Sequence, residues 1–217
     1  MSDLISLRNF SFSFPEKEIF TDLELEIPLE GVNLLSGING SGKSTFCRLL
    51  LALQTGYRGG LLFNNRDISS VDTQSLAAEI IYLKQPSSLN LLAATPWLDL
   101  VVWASGFGSN QYNRADIDEA LDFFDLLSYK DKPVWELSEG QRQGVALAAL
   151  LLNRQKVWLL DEPAAGLDNI RQKKLKKLIL EQGKQKGVLI ISHRYDLFAD
   201  ISDNIYEIKD KSILLRK

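Results

Sequence analysis

One stretch constrains this chain more than any other: Gly37-Ile38-Asn39-Gly40-Ser41-Gly42-Lys43-Ser44-Thr45, which fits the pattern G-x-x-x-x-G-K-[ST]. An apolar run, Val32-Asn33-Leu34-Leu35, precedes it, and a helical pattern from Phe46 to Leu53 follows. Strand, glycine-rich turn and helix is the setting in which this pattern binds phosphate. Glycines let successive backbone N–H groups turn inward as an anion nest, and the helix N-terminus adds unpaired donors and the positive end of its dipole. The pattern assigns Lys43 to the β- and γ-phosphates of a nucleotide and the Ser44 hydroxyl to Mg²⁺. Gly37, Asn39, Gly40, Ser41, Gly42 and Thr45 complete the cradle.

Composition narrows the rest. A length of 217 residues with 45% hydrophobic and 24% charged residues predicts a single α/β domain with a substantial core. A net charge of −3 offers no electrostatic argument for nucleic acid. The one cysteine, Cys47, excludes a disulfide framework and a Cys-rich metal site, and its apolar surroundings predict a small buried hydrophobe. Met1-Ser2-Asp3-Leu4 has neither the basic nor the apolar region of a secretory leader. No run of uncharged apolar residues is long enough to span a bilayer, so the chain is expected to be soluble or attached to a membrane through a partner.

Taken in order, residues 4–14 alternate and end in Phe10, Phe12 and Phe14, and residues 19–27 alternate again, which predicts antiparallel strands with one wet face. Val32–Ser36 reads as a buried strand, Gly59–Asn65 as a strand and turn, the stretch around Ser69-Ser70 as polar turn, and Ile80–Leu83 as a short strand. From Pro86 to about Leu137 the pattern becomes helical, over Trp97–Ala104 and Arg114–Phe124, with a loop across Gly106–Asn113. This segment, about 86–137, is expected to be a helical insertion between residues 1–85 and 138–217 of one domain. Val157–Leu160 and Val188–Ile191 are continuous apolar runs, as parallel strands buried on both faces require. Ile170–Gln182 is a helix between them with Leu175, Leu178 and Ile179 inward and its lysines on a solvated face, with contact to anionic lipid as the alternative. Ile205–Ile208 and Ile213–Leu215 are closing strands. The four tryptophans are expected mainly in the core, with Trp97 and Trp103 as candidate anchors for a partner.

Two further motifs carry chemistry. Val157-Trp158-Leu159-Leu160 delivers Asp161 and Glu162 to a strand's C-terminal end, where ligands bind in open α/β sheets. There Asp161 would join the Mg²⁺ shell and Glu162 would take a proton from an attacking water. Leu137-Ser138-Glu139-Gly140-Gln141 leads into a helix, with Ser138 as N-cap and the following amides as a second anion site.

With these residues in hand the chain resembles the ATP-binding-cassette (ABC) ATPases. Their P-loop, glutamine loop, L-S-G-G-Q signature, Walker B strand, D-loop and switch histidine match, in order, Gly37–Thr45, Gln85, Leu137–Gln141, Val157–Glu162, Gly166-Leu167-Asp168 and His193. The resemblance implies a mainly parallel core sheet, an N-terminal antiparallel β-subdomain and an inserted helical subdomain. It implies ATP and Mg²⁺ as ligands, with Ser138, Gly140 and Gln141 capping ATP held by the Lys43 loop of a second ABC ATPase subunit, identical or related. Gln85 would couple metal and water to an integral membrane transporter subunit, and the chain would lie on the cytoplasmic face of the membrane. His193 would contact the γ-phosphate, and Phe14 matches the aromatic that stacks on adenine, with Phe12 its rival. Two residues depart from the pattern: Glu139 replaces a glycine and is expected to face solvent, and Gly144 stands where arginine is common. Asp161–Asp168, Leu91–Thr95 and Trp135–Ser138 look like the energy-coupling-factor and cobalt-type uptake ATPases. ABC ATPases that act on DNA or ribosomes carry long coiled-coil insertions, tandem cassettes or basic surfaces, none of which is present here. A small-molecule kinase would leave Leu137–Gln141 and His193 without a role.

Overall fold

The computed structural model describes residues 4–105 and 112–217, so residues 1–3 and most of the loop expected at Gly106–Asn113 lie outside the described residues. In chain order the strands are β1 (Leu4–Phe14), β2 (Lys17–Pro28), β3 (Val32–Ser36), β4 (Arg58–Phe63), β5 (Arg66–Asp67), β6 (Ile80–Leu83), β7 (Val157–Asp161), β8 (Gly187–Ser192), β9 (Asn204–Lys209) and β10 (Ser212–Leu215). The helices are α1 (Lys43–Leu50), α2 (Thr73–Glu79), α3 (Pro96–Ser105), α4 (Arg114–Phe123), α5 (Glu139–Leu151), α6 (Asn169–Gly183) and α7 (Tyr195–Phe198). A four-stranded antiparallel sheet has the order β2-β1-β4-β5, and a six-stranded sheet has the order β10-β9-β3-β8-β7-β6. In the larger sheet every pairing is parallel except that of β10 with β9.

Every residue of β3, β7 and β8 is buried, which is why these strands read as unbroken apolar runs. Their side chains still alternate between two cores. Leu34, Trp158, Leu160, Val188 and Ile190 face α5 and α6 and join Leu100, Ile117, Leu121 and Phe124 from the helical segment. Leu35, Leu159, Leu189 and Ile191 face α1 and the antiparallel sheet, among Phe10, Phe20, Phe46 and Phe63. The larger sheet is thus the middle layer, and its strand ends are held from both sides.

Several local expectations change. The helix after the glycine loop stops at Leu50 rather than Leu53. Ala52 adopts a left-handed φ of 54°, Leu53 N–H donates to Arg48 O (2.8 Å) and Ala52 N–H to Leu49 O (3.1 Å), a Schellman stop without glycine. The polar stretch after Ser70 contains α2, capped by Asp72, whose carboxylate accepts from Ser75 N–H at 2.9 Å. Only Leu76 of α2 is buried, too few apolar positions to give a period. On β1, Ser6 is buried along with Ile5 and Leu7, and the register with β2 shifts only beyond Leu7. The α6 lysines are not all free: Lys174 pairs with Asp125 (2.8 Å) and Lys176 with Asp200 (2.7 Å).

Trp135 contradicts the expectation of a core position, since it is 70% exposed, whereas Trp158 is fully buried. Trp97 and Trp103 pack against the core, one under the Arg114 guanidinium (5.6 Å), the other donating to Asn90 O (3.3 Å). Gly144 now has a reason. It is buried in α5, and a Cβ there would lie 2.9 Å from Leu126 Cδ1 and 3.7 Å from Phe124 Cβ. Gly144→Arg should cost more than the roughly 1–3 kcal/mol of simple overpacking, because an unpaired charge is buried as well. Gly144→Ala gains about 1 kcal/mol of helix propensity and asks only the Leu126 methyl to move, so it should stay near wild type. Urea denaturation of both variants checks the contrast.

Candidate functional site

Adjacent parallel strands end at one edge. Ser36 of β3 is paired with Ser192 of β8, Asp161 of β7 with Ile191, and Leu83 of β6 with Leu160. The residues that follow these positions are therefore neighbours in space: the glycine loop after β3, His193 after β8, Glu162 after β7 and Gln85 after β6. All but His193 border a cleft of about 310 Å³ whose lining includes Phe14, Lys17, Asn39, Gly40, Gly42, Lys43, Ser44, Thr45, Gln85, Asp161 and Glu162. His193 lies in the adjoining recess with Gly37, Asn39, Tyr195 and Arg216.

Lys43 opens α1 and folds back over the loop, where its Nζ donates to Gly37 O (2.7 Å) and Ile38 O (2.9 Å). Burial pushes its pKa down, while Glu162 and Asp161 pull it up. Asp161 is 3% exposed, and its Oδ2 accepts from Ser44 Oγ and Tyr82 Oη, each at 3.1 Å. Its Oδ1 is buried with no hydrogen-bond partner. Burial raises the Asp161 pKa, against the lowering effect of the two hydroxyls. Ser44 Oγ and the bare Oδ1 are hard oxygen donors of the kind that hold a divalent cation while water and phosphate complete its shell. Among the described residues no cluster of three His, Cys, Asp or Glu side chains offers an all-protein cage.

Glu162 is held from β8. Its Oε2 accepts from Ser192 Oγ (2.8 Å), its Oε1 accepts from His193 N–H (2.8 Å), and His193 Nδ1 lies 2.7 Å from the same Oε1. With Nδ1 donating to the carboxylate, Nε2 is the ring nitrogen left for a ligand. Glu162 also has a left-handed φ of 48°, a strained backbone worth about 1–3 kcal/mol that clusters at working sites.

Phe14 is 37% exposed at the cleft, whereas its rival Phe12 is 2% exposed inside the core, which leaves Phe14 as the aromatic with a free surface. Ser138, Gly140 and Gln141 are not among the residues of this cleft. Ser138 is exposed at the start of α5, where its Oγ accepts from Gln141 N–H (3.2 Å) and its N–H donates to Gln141 Oε1 (2.9 Å). That capping box commits one Gln141 oxygen locally and leaves its amide nitrogen. A Cβ on Gly140 would lie 2.4 Å from Gly166 O, so α5 begins against the turn that follows Asp161-Glu162. Glu139 is exposed, as expected. Sequence reasoning missed Lys17, whose Nζ donates to Gly40 O at 3.1 Å, and Tyr82 on Asp161. Neither carries a motif: one is a surface lysine in a hairpin, the other an aromatic in a strand.

Comparison with known proteins identifies the family. Residues 20–165 match the protein family described as ABC transporter. The chain is 28% identical over 200 residues to the "Cytochrome c biogenesis ATP-binding export protein CcmA" of Aliivibrio fischeri, covering 92% of this chain and 96% of that one. It is 31% identical over 199 residues to the "Energy-coupling factor transporter ATP-binding protein EcfA3" of Clostridium perfringens, covering 89% and 70%. The solved structure of cbiO1 from Clostridium perfringens, described as part of the ABC transporter complex cbiONQ, superposes with a TM-score of 0.80 at 26% identity, covering 99% and 88%. A family match over residues 20–165 and relatives that match along most of the chain show that the protein belongs to the ABC transporter family as an ATP-binding, ATP-hydrolysing subunit.

Proposed function

We propose that this chain is the motor of a transporter, hydrolysing MgATP in a two-subunit sandwich on the cytoplasmic face of a membrane and driving a separate integral membrane subunit. One observation carries the reading: Lys43, Ser44, Asp161 and Glu162 border a single cleft, with His193 hydrogen-bonded to Glu162. Lys43, now resting on two loop carbonyls, is free to exchange them for the charged oxygens of the β- and γ-phosphates. Phe14 stacks on the adenine ring. Ser44 Oγ and Asp161 Oδ1 would hold Mg²⁺, which would supply positive charge against the nucleotide's phosphates. Glu162 accepts the proton of the attacking water, and Gln85 orients that water. His193, fixed by Glu162, presents Nε2 to the γ-phosphate.

Ser138, Gly140 and the Gln141 amide lie outside their own chain's cleft and at the exposed start of a helix, which supports their acting on nucleotide held by a second subunit. Residues 86–137 form the helical subdomain in this reading. Leu89 and Leu92, 55% and 61% exposed a few residues beyond Gln85, together with Trp135, give the membrane subunit an apolar seat. No helix among the described residues is long and apolar enough to cross a membrane, consistent with a separate membrane partner. Metal or vitamin uptake is proposed as the transported class on the likeness of Asp161–Asp168, Leu91–Thr95 and Trp135–Ser138 to the energy-coupling-factor and cobalt-type ATPases, while the likeness to CcmA names export.

Glu162→Gln should bind ATP as wild type does while phosphate release falls roughly 10²–10⁴-fold, the usual worth of a general base. Unchanged turnover in that variant would remove Glu162 from the role. If the sandwich is made of two copies, Lys43→Ala and Ser138→Arg chains should each be inactive alone. Mixed, they should regain part of the wild-type rate, because one of the two heterodimer sites is then intact. A mixture that stays inactive argues against two copies sharing the site.

A further inference from the structure

Asp161 lies at the centre of an unequal hydrogen-bond arrangement. Its Oδ2 receives both available hydroxyls, Ser44 Oγ from α1 and Tyr82 Oη from β6, at 3.1 Å each. Its Oδ1 receives none, although it is buried. A carboxylate with one donor on one oxygen can rotate and exchange its oxygens. Two donors converging on the same oxygen from different elements hold the group in one orientation and leave the other oxygen bare. The donors are not equivalent. Ser44 is itself a candidate ligand and sits in the phosphate loop, whereas Tyr82 stands on a strand paired residue for residue with β7, opposite Leu159.

We propose that Tyr82 is a positioning residue, which holds Asp161 Oδ2 so that Oδ1 faces the divalent cation of the nucleotide complex. Hydroxyl-to-carboxylate bonds behind a metal ligand orient it and set its basicity. The phenol suits this work because its O–H donates to a carboxylate oxygen that can only accept. Cys47, fully buried, lies within hydrogen-bonding reach of the same hydroxyl. The packing role of the ring, partly buried against the core under the antiparallel sheet, is a separate property of the same residue.

This inference rests on the reading of Ser44 and Asp161 as the cation's holders, and its test separates the two. The measurement is the affinity for a non-hydrolysable ATP analogue by titration calorimetry, once with Mg²⁺ and once with EDTA. In Tyr82→Phe the ring stays and the donor goes, so affinity with Mg²⁺ should fall about 10-fold or more while affinity in EDTA is unchanged. Tyr82→Leu should lose the same metal-dependent gain and also melt at lower temperature. Asp161→Asn is the control and should abolish that gain. If Tyr82→Phe matches wild type while Asp161→Asn loses the gain, the positioning role is wrong and the metal reading stands. If only Tyr82→Leu is affected, or Tyr82→Phe weakens both affinities equally, the residue packs and does not position. If Asp161→Asn keeps the full gain, the metal reading falls and this inference falls with it.

Discussion

Parallel pairing of buried strands is the constraint on which the rest of this structure depends. Parallel strands carry their C-terminal ends to the same edge, and here β3, β8, β7 and β6 are adjacent. Four segments far apart in sequence, Gly37–Ser44, Gln85, Asp161-Glu162 and His193, are thereby brought together without any one of them folding toward another. The register leaves little freedom, because β3, β7 and β8 are buried on both faces and a one-residue slip would exchange the two cores.

Placing charge at such an edge has a cost, and the molecule offsets it unevenly. Glu162 is well satisfied, by Ser192 Oγ, the His193 amide and the His193 ring. Lys43 is satisfied by loop carbonyls that a phosphate would outcompete. Asp161 is half satisfied, with one oxygen holding two hydroxyls and the other bare. Of these three groups, Asp161 is the one left with a bare oxygen. Proteins hold such groups at working sites because the surrounding packing over-determines their position. The two packed layers on either side of the sheet supply that rigidity here.

Legibility followed the kind of physics each element uses. The strands and α6 were readable because burial on both faces, or on one stripe, leaves a period in the sequence. Helix α2 was not, since its stability comes from the Asp72 cap with a single buried residue, and an isolated cap looks like a turn. The end of α1 was misjudged because Ala52 takes the left-handed conformation that glycine would have signalled. Trp135 looked like core because size and apolarity argue for burial, yet it sits exposed just before the Ser138 turn. Gly144 had no explanation until Leu126 and Phe124 were seen to pack against it.

By itself the sequence determined the class of chemistry and the residues that carry it. A glycine loop before Lys43, a carboxylate pair ending an apolar strand, and Ser138 and His193 in a familiar order depend on local residue identity. Tertiary structure alone decided the relations between them. It gave Asp161 its two donors on one oxygen, gave His193 its carboxylate, left Phe14 rather than Phe12 facing the cleft, and kept Ser138 out of it. The physical reason is that hydrogen bonds and burial across 31 to 117 positions of chain are set by strand order and register, which no local pattern encodes.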